Sequence, residues 1–115
     1  MTPPDVSATD VWHFSGGVLD CRSSRLVGIV NATSDSFSDE GAHYGVERAV
    51  RHGIRLAAQG ADVVEVGGES LRFSEHTLVE VEIARVVPVI AALVGEIEVP
   101  IAVDTFKPEV AEAAV

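Results

Sequence analysis

The chain has 115 residues, enough for one domain with a modest core, and 47% of them are hydrophobic, which excludes a wholly disordered protein. Its net charge is −10, from 18 acidic against 8 basic residues, and no basic stripe is present, so we expect no nucleic-acid partner. No apolar run approaches the roughly 20 residues of a membrane span, so we expect no membrane partner. The chain has no signal-peptide pattern and a single cysteine, so we expect a cytoplasmic protein.

The beginning of the chain predicts a flexible tail followed by a hairpin. Residues 1–10 are polar and contain proline, so the folded domain is predicted to span 11–115. Val11–Phe14 and Val18–Asp20 flank a turn that contains Gly16 and Gly17. Because glycine tolerates the positive φ angles of a tight turn, this pattern predicts a short β-hairpin that closes the amino-terminal end of a barrel.

The rest of the chain alternates apolar runs with helical patterns. Short, nearly continuous apolar runs predict parallel strands buried on both faces. The predicted strands are Leu26–Val30, Asp62–Val66 and Ile101–Val103, and the predicted helices are Val46–Gln59, Thr77–Val94 and a third that begins at Pro108. Since a complete barrel needs roughly 250 residues, the predicted fold is α/β, a partial (β/α)8 TIM barrel with three βα units after the hairpin.

The second helix carries more detailed predictions. Thr77 and Glu80 have the spacing of a capping box, which predicts a helix start at Thr77. Pro88 is predicted to kink the helix or to end its first part. The predicted inward face consists of Leu78, Val81, Ala84, Val87 and Ala91.

Each predicted strand ends in polar residues, the arrangement expected at the active face of a barrel. The first loop, Asn31–Asp39, is rich in the oxygen ligands that suit Mg²⁺, and its Phe37 is suited to forming the wall of a ring-shaped ligand's pocket. The alternative is a Ser/Asp turn that caps a helix. The second loop, Gly67–Arg72, lets backbone amides and an arginine approach an anion, or is simply a flexible turn.

The third polar cluster is centred on Asp104. A carboxylate offers two acceptors side by side, which match the N–H/NH₂ edge of an aminopyrimidine such as a pterin or guanine. The alternative is that Asp104, with Thr105, caps the third helix. Taken on its own, this cluster favours the cap.

These motifs together resemble a known family. Gly28–Asp39 resembles the first signature of dihydropteroate synthases and Gly67–Arg72 resembles their second, while Arg85–Ile90 and Val103–Thr105 match in order and spacing. The resemblance implies a TIM barrel and a folate-pathway transferase. It also implies the substrates 6-hydroxymethyl-7,8-dihydropterin pyrophosphate and p-aminobenzoate, Mg²⁺ as cofactor, and a homodimer of the full-length protein.

The resemblance also implies roles for individual residues. The implied catalytic residues are Asn31, Asp35 and Asp39, and the implied substrate-binding residues are Phe37, Ser70, Arg72 and Asp104. Asn31 is implied to contact the metal or the pyrophosphate, while the two aspartates lie in a loop over the leaving group. Phe37 and Arg72 are implied at the p-aminobenzoate pocket, and Asp104 at the pterin edge.

Some positions differ from the family pattern. Leu71 stands where threonine is usual and Phe73 where proline is usual, which motivates an alternative reading as a non-catalytic paralogue or pterin-binding module. Family residues that follow strands four to eight have no counterpart among these 115 residues, so we expect the isolated chain to be inactive. A pterin-dependent methyltransferase is disfavoured, because the first two loops resemble the synthase signatures.

Overall fold

A computed structural model of the protein describes residues 10–33, 42–69 and 77–115. An antiparallel hairpin comes first, and a parallel three-stranded sheet with helices between its strands follows. The elements are β1 (Val11–Phe14), β2 (Gly17–Asp20), β3 (Val27–Asn31), α1 (Ala42–Ala58), β4 (Val63–Gly67), α2 (Val79–Val94), β5 (Ile101–Asp104) and α3 (Pro108–Ala114). The predicted hairpin and the predicted α/β class with three βα units are confirmed.

The parallel sheet has the strand order β3-β4-β5, and each strand ends at the same edge. Asn31 pairs with Gly67, and Gly67 pairs with Asp104. Every strand therefore extends one residue beyond its predicted end, because the ladder includes the first polar or glycine residue after the apolar run. The residues that close the three strands form one row across the sheet.

One face of the sheet carries the core. Val30, Val64 and Val66 are buried there against α1 and α2, and the helices supply Ala49, Val86, Val89, Ile90 and Leu93 to the same cluster. The two helices approach closely at Gly53, where an added Cβ would lie 2.8 Å from Leu93 Cδ2. A glycine at this helix position gives up helix propensity but allows the close contact.

The buried face of α2 was predicted wrongly. The residues buried in this helix are Glu82, Val86, Val89, Ile90 and Leu93, whereas Leu78 is 68% exposed. Apolar residues occupy almost every side of α2, so their spacing does not select a face; contacts with β4 and α1 do. The capping box is also wrong, since Leu78 is the N-cap and none of the described side chains caps the helix. Pro88 lies inside the helix and does not end it.

The hairpin lies at the amino-terminal end of the parallel sheet. Trp12, Phe14 and Leu19 line a cavity of about 160 Å³ together with Val63 and the first residues of β5. Arg25 connects the two sheets, because its guanidinium donates to the Asp20 carbonyl and lies 3.4 Å from Asp62 Oδ1. The hairpin therefore lies at the opposite end of the sheet from the row of strand ends.

The second face of the sheet is open at β3, whereas Val63 of β4 on the same face is buried. Val27 is 46% exposed and Ile29 is 54% exposed, while Val30 between the sheet and the helices is buried. In β3 the side chains thus alternate between a covered face and an open one. None of the helices in the described part of the chain is long and apolar enough to cross a membrane.

Candidate functional site

Three residues in one register row form the centre of the candidate site. Asn31 and Asp104 both have exposed side chains, and Gly67 lies between them on the middle strand. Since neighbouring strands lie about 4.8 Å apart, the backbones of Asn31 and Asp104 are about 10 Å apart. The Ala32 N–H donates to the Gly67 carbonyl oxygen at 2.7 Å, which continues the ladder to the edge of the sheet.

The absence of a side chain at Gly67 leaves room beside Asp104. A Cβ added to Gly67 would lie 3.6 Å from the Asp104 Cβ and 3.7 Å from its Oδ2. The carboxylate therefore lies over the middle strand. It also lines a pocket of about 140 Å³ together with Glu69, Thr105 and Phe106. This pocket combines a carboxylate with an aromatic ring, so it has both a hydrogen-bonding group and a flat apolar wall.

A charged network lies beside this pocket. The Lys107 ammonium donates to Glu69 Oε2 at 2.9 Å and to Glu82 Oε1 at 2.6 Å. The Thr105 hydroxyl donates to the second oxygen of Glu82, Oε2, at 2.6 Å. Glu82 is completely buried, and the side chains of Lys107 and Glu69 are only 12% and 11% exposed. The network thus joins the loop after β4, the first turn of α2 and the loop after β5.

The network keeps Lys107 charged. Burial by itself lowers the pKa of this ammonium, but hydrogen bonds to Glu69 and Glu82 and their negative charges outweigh it, so the Lys107 pKa is raised. A buried carboxylate is tolerated only when it is paired and hydrogen-bonded, and Glu82 receives both kinds of contact. Lys107 is therefore a permanent cation at neutral pH.

The loop after β4 rests on the first turns of α2. The Arg85 guanidinium donates to the Gly68 carbonyl at 3.0 Å, and the Thr77 N–H donates to Glu69 Oε1 at 2.9 Å. An added Cβ on Gly68 would lie 2.7 Å from Val86 Cγ2 and 3.2 Å from the Glu82 carbonyl oxygen. Only glycine fits this position without a shift of the Val86 side chain, the helix or the loop.

The structure places two of the predicted site residues on the same edge and describes no others. Asn31 and Asp104 lie at the ends of β3 and β5 as predicted. The other predicted residues, Asp35, Phe37, Asp39, Ser70 and Arg72, lie outside the described residues. The alternative in which Asp104 caps α3 is wrong, because the N-cap is Lys107 and the helix starts at Pro108.

Sequence reasoning missed the charged network. Glu82 bonds Thr105 and Lys107 rather than Arg85, which lies three positions along the same helix and bonds the Gly68 carbonyl instead. In the structure Glu82 shares a buried face with Val86 and Val89, but apolar residues on the other sides of α2 hide that face in the sequence.

In the described part of the chain, the carboxylate, histidine and cysteine side chains do not form a metal cage by themselves. Among the residues that the structure describes, no group of three or more His, Cys, Asp or Glu side chains could hold a metal ion. A metal that takes most of its ligands from a bound phosphate and water needs only one or two protein oxygens. The side-chain amide of Asn31, at the end of β3, offers one oxygen ligand of that kind.

Comparison with known proteins agrees with this geometry. The family model described as "Pterin binding enzyme" matches residues 27–115. The dihydropteroate synthase of Bacillus subtilis (strain 168) is 38% identical over 100% of this chain, which spans 41% of that protein. The dihydropteroate synthase of Escherichia coli (strain K12) is 45% identical over 83% of this chain and 34% of its own length.

Solved structures show the same relationship. Dihydropteroate synthase from Xanthomonas albilineans with 4-aminobenzoic acid superposes with a TM-score of 0.82 at 50% identity, covering 91% of this chain and 39% of that one. The enzyme from the same organism in complex with 7,8-dihydropteroate gives a TM-score of 0.71 at 52% identity, covering 84% and 35%. The chain spans about two fifths or less of these relatives, and its fold is part of a TIM barrel, as predicted. The chain belongs to the pterin-binding enzyme family.

Proposed function

We propose that the chain provides the amino-terminal part of a dihydropteroate synthase active site. The observation that carries this proposal is the row formed by Asn31, Gly67 and Asp104 at the carboxyl edge of the sheet. Similarity to dihydropteroate synthases of 38% and 50% identity supports it. Active sites of such barrels are built at this edge, from loops that follow successive strands.

In this proposal Asp104 binds the pterin. Its exposed carboxylate can accept two parallel hydrogen bonds from an aminopyrimidine edge, and Gly67 leaves space for the ring beside it. A hydrogen bond to a charged group contributes about 1.5–3 kcal/mol. Two such bonds to one side chain are therefore strong enough to orient the pterin.

Asn31 is proposed to serve at the pyrophosphate end of the same substrate. Its position two strands from Asp104 suits a ligand that extends across the middle strand. The Asn31 amide oxygen would hold Mg²⁺ as a single protein ligand. The bound ion would supply positive charge next to the departing pyrophosphate.

We propose the second substrate, p-aminobenzoate, by comparison with the relatives. A structure of the Xanthomonas albilineans enzyme contains 4-aminobenzoic acid and another contains 7,8-dihydropteroate. For this protein we propose that the aryl amine forms a bond to the pterin methylene carbon. The carbon–oxygen bond to pyrophosphate breaks, and the amine loses a proton. Holding the two reactants together is the principal contribution of such a site.

Several roles remain predictions from sequence. They include the roles of Asp35 and Asp39 at the leaving group, of Phe37 and Arg72 at p-aminobenzoate, and of Ser70. The cytoplasmic location, the homodimer and the inactivity of the 115 residues alone also remain predictions. The last is checked by incubating the chain with pterin pyrophosphate, Mg²⁺ and labelled p-aminobenzoate and measuring dihydropteroate.

A ligand titration followed by NMR tests the proposed site. The ¹⁵N-labelled chain is titrated with 6-hydroxymethylpterin, and amide shifts are expected at Asn31, Gly67 and Asp104. The hairpin, Val11–Asp20, is an internal control, because it lies at the other end of the sheet. Shifts confined to the hairpin, or none at the highest soluble pterin concentration, contradict the proposal.

An enzymatic assay separates the proposed function from its alternative, a pterin-binding module without catalysis. The residues that motivate the alternative are Leu71 and Phe73, which differ from the family pattern. The variant Leu71→Thr/Phe73→Pro in a full-length protein is compared with the parent for use of p-aminobenzoate. Turnover by the parent supports the synthase, whereas turnover only by the variant supports the binding module.

A further inference from the structure

Lys107 contacts groups from several parts of the fold. It is the only lysine in the chain. Its ammonium bonds Glu69, in the loop after β4, and Glu82, in the first turn of α2. The same ammonium lies 4.5 Å from the centroid of the Phe106 ring, a distance typical of a cation–π contact. With only 12% of its side chain exposed, Lys107 is placed to hold these groups rather than to meet a ligand.

The groups that Lys107 holds are walls of the Asp104 pocket. Glu69, Thr105 and Phe106 line that pocket together with Asp104. Glu69 and Phe106 contact the ammonium directly, and Thr105 is connected to it through Glu82. Asp104 immediately precedes this bonded segment of the chain and its backbone pairs with Gly67 in the sheet, so both neighbours set its position.

We propose that Lys107 is a positioning residue that fixes the shape of the Asp104 pocket, and thereby the pterin affinity, through its contacts with Glu69, Glu82 and Phe106. The proposal rests on the function proposed above. It assigns no contact between Lys107 and the substrate. It adds a role for Lys107, Glu69, Glu82 and Thr105, which the proposed reaction itself does not use.

The burial of Glu82 makes the network cooperative. Both oxygens of this carboxylate receive a hydrogen bond, one from Lys107 and one from Thr105. Loss of either donor leaves a buried oxygen unsatisfied, and this penalty is relieved if the loop moves so that water reaches the oxygen. We therefore expect Lys107→Met and Thr105→Val to displace the segment 105–107, and Asp104 with it.

The first measurement needs no ligand. In the ¹⁵N-labelled chain, Thr105→Val and Lys107→Met are expected to shift the backbone amides of Asp104 and Gly67 and to leave those of the hairpin unchanged. Thr105→Ser, which keeps the hydroxyl, is the matched control and is expected to resemble the parent. Thr105→Val is the milder of the two changes and serves if Lys107→Met does not fold.

The second measurement is the dissociation constant of 6-hydroxymethylpterin, obtained at a temperature at which circular dichroism shows each variant to be folded. Thr105→Val and Lys107→Met are expected to raise it about tenfold or more, the effect of a small misplacement of a binding group. Arg22→Met is the charge control, since Arg22 pairs with Asp20 on the exposed hairpin. It is expected to leave the pterin affinity unchanged.

The two measurements separate the outcomes. Unchanged Asp104 and Gly67 amides in both folded variants overturn the positioning role, and so does an unchanged pterin affinity. The positioning role is supported if Thr105→Val weakens pterin binding and Thr105→Ser does not. A residue that only stabilised the fold would leave the pterin affinity of the folded protein unchanged. If the parent binds no pterin, the proposed function fails, while the amide shifts still decide whether Lys107 holds the pocket.

Discussion

Glu82 and Lys107 form a buried ion pair across two elements, with 2.6 Å between Oε1 and Nζ and no exposure of the glutamate. The two residues are 25 positions apart in the chain and come from the first turn of α2 and the loop after β5. A contact of this kind fixes the distance between a helix and a strand end. It therefore connects the stability of the fold to the geometry of the candidate site.

Neutralising Glu82 is expected to destabilise the protein strongly. In Glu82→Gln the ammonium of Lys107 loses a charged partner, and the new amide donor faces the Thr105 hydroxyl. Breaking a buried ion pair costs about 3–5 kcal/mol, and we expect the free energy of unfolding to fall by about 3 kcal/mol. The measurement is urea unfolding followed by circular dichroism.

Glu80→Gln is the matched control for this change. Glu80 lies in the same first turn of α2 but is exposed, so both variants lose the same interaction with the helix dipole. We expect Glu80→Gln to change the free energy of unfolding by about 0.5 kcal/mol or less. Equal effects of the two substitutions would show that the buried pair contributes nothing specific.

The raised pKa of Lys107 predicts a loss of stability in alkali. Hydrogen bonds to Glu69 and Glu82 hold the folded-state pKa above its ordinary value of 10.5. Below the unfolded-state pKa both states are protonated and the stabilisation is fully present; it is lost as the pH rises through the folded-state pKa. The urea midpoint is therefore expected to fall above about pH 10 in the parent.

Lys107→Met provides the comparison for the alkaline titration. This variant lacks the titrating ammonium, so its urea midpoint is expected to be lower at neutral pH but to fall less steeply between about pH 10 and 12. Because the two proteins differ only at this residue, the difference between their curves reports the contribution of Lys107. Parallel curves for the two proteins would contradict the contribution of Lys107.

Gly68→Ala is expected to destabilise the loop after β4. The new methyl group would lie 2.7 Å from Val86 Cγ2 and 3.2 Å from the Glu82 carbonyl oxygen, so the Val86 side chain, the helix or the loop must move. Overpacking of this kind costs about 1–3 kcal/mol in the free energy of unfolding. Thermal unfolding of the variant measures the effect.

Gly95→Ala is the control at an unconstrained glycine. A Cβ at this position would meet only the Ala92 carbonyl oxygen at 3.9 Å, and its φ of −84° is open to any residue. We expect the melting temperature of Gly95→Ala to remain close to that of the parent. A melting temperature of Gly68→Ala equal to that of Gly95→Ala would rule out the steric argument.

Local sequence signals predicted the strand ends well. An apolar run followed by Asn31 or Asp104 locates the end of a buried strand within one residue, because burial and polarity change abruptly there. The glycine pair Gly67 and Gly68 was likewise visible in the sequence. The sequence did not show why position 68 needs glycine, which is its close contact with Val86. Features that depend on neighbouring residues in the chain were thus accessible.

Features that depend on distant residues were not accessible. The inward face of α2 is selected by β4 and α1, since leucine, valine and isoleucine side chains lie on several sides of the helix. The partner of Glu82 lies beyond β5, and no periodicity within α2 points to Lys107. The parts of the site that were missed are those assembled by the packing of separate elements.

Replacing Asp104 tests the centre of the proposed site. Asp104→Asn preserves the size of the side chain but replaces one carboxylate oxygen, an acceptor, by the NH₂ of an amide, a donor. This donor would face the N–H donors of a pterin edge. Loss of a charge-assisted pair of hydrogen bonds is expected to weaken 6-hydroxymethylpterin binding by about 2–3 kcal/mol, or about 30- to 150-fold. Isothermal titration calorimetry of the parent and the variant measures the difference.

The control for Asp104→Asn is Glu98→Gln, which changes the same charge at an exposed position before β5. Because Glu98 lies at the amino-terminal end of that strand, we expect its substitution to leave pterin binding unaltered. Asp104 takes part in no described hydrogen bond that the exchange would break, so the melting temperature of both variants is expected to match the parent. Retained pterin affinity in Asp104→Asn, with the fold intact, would locate the pterin elsewhere and remove the row of strand ends from the site.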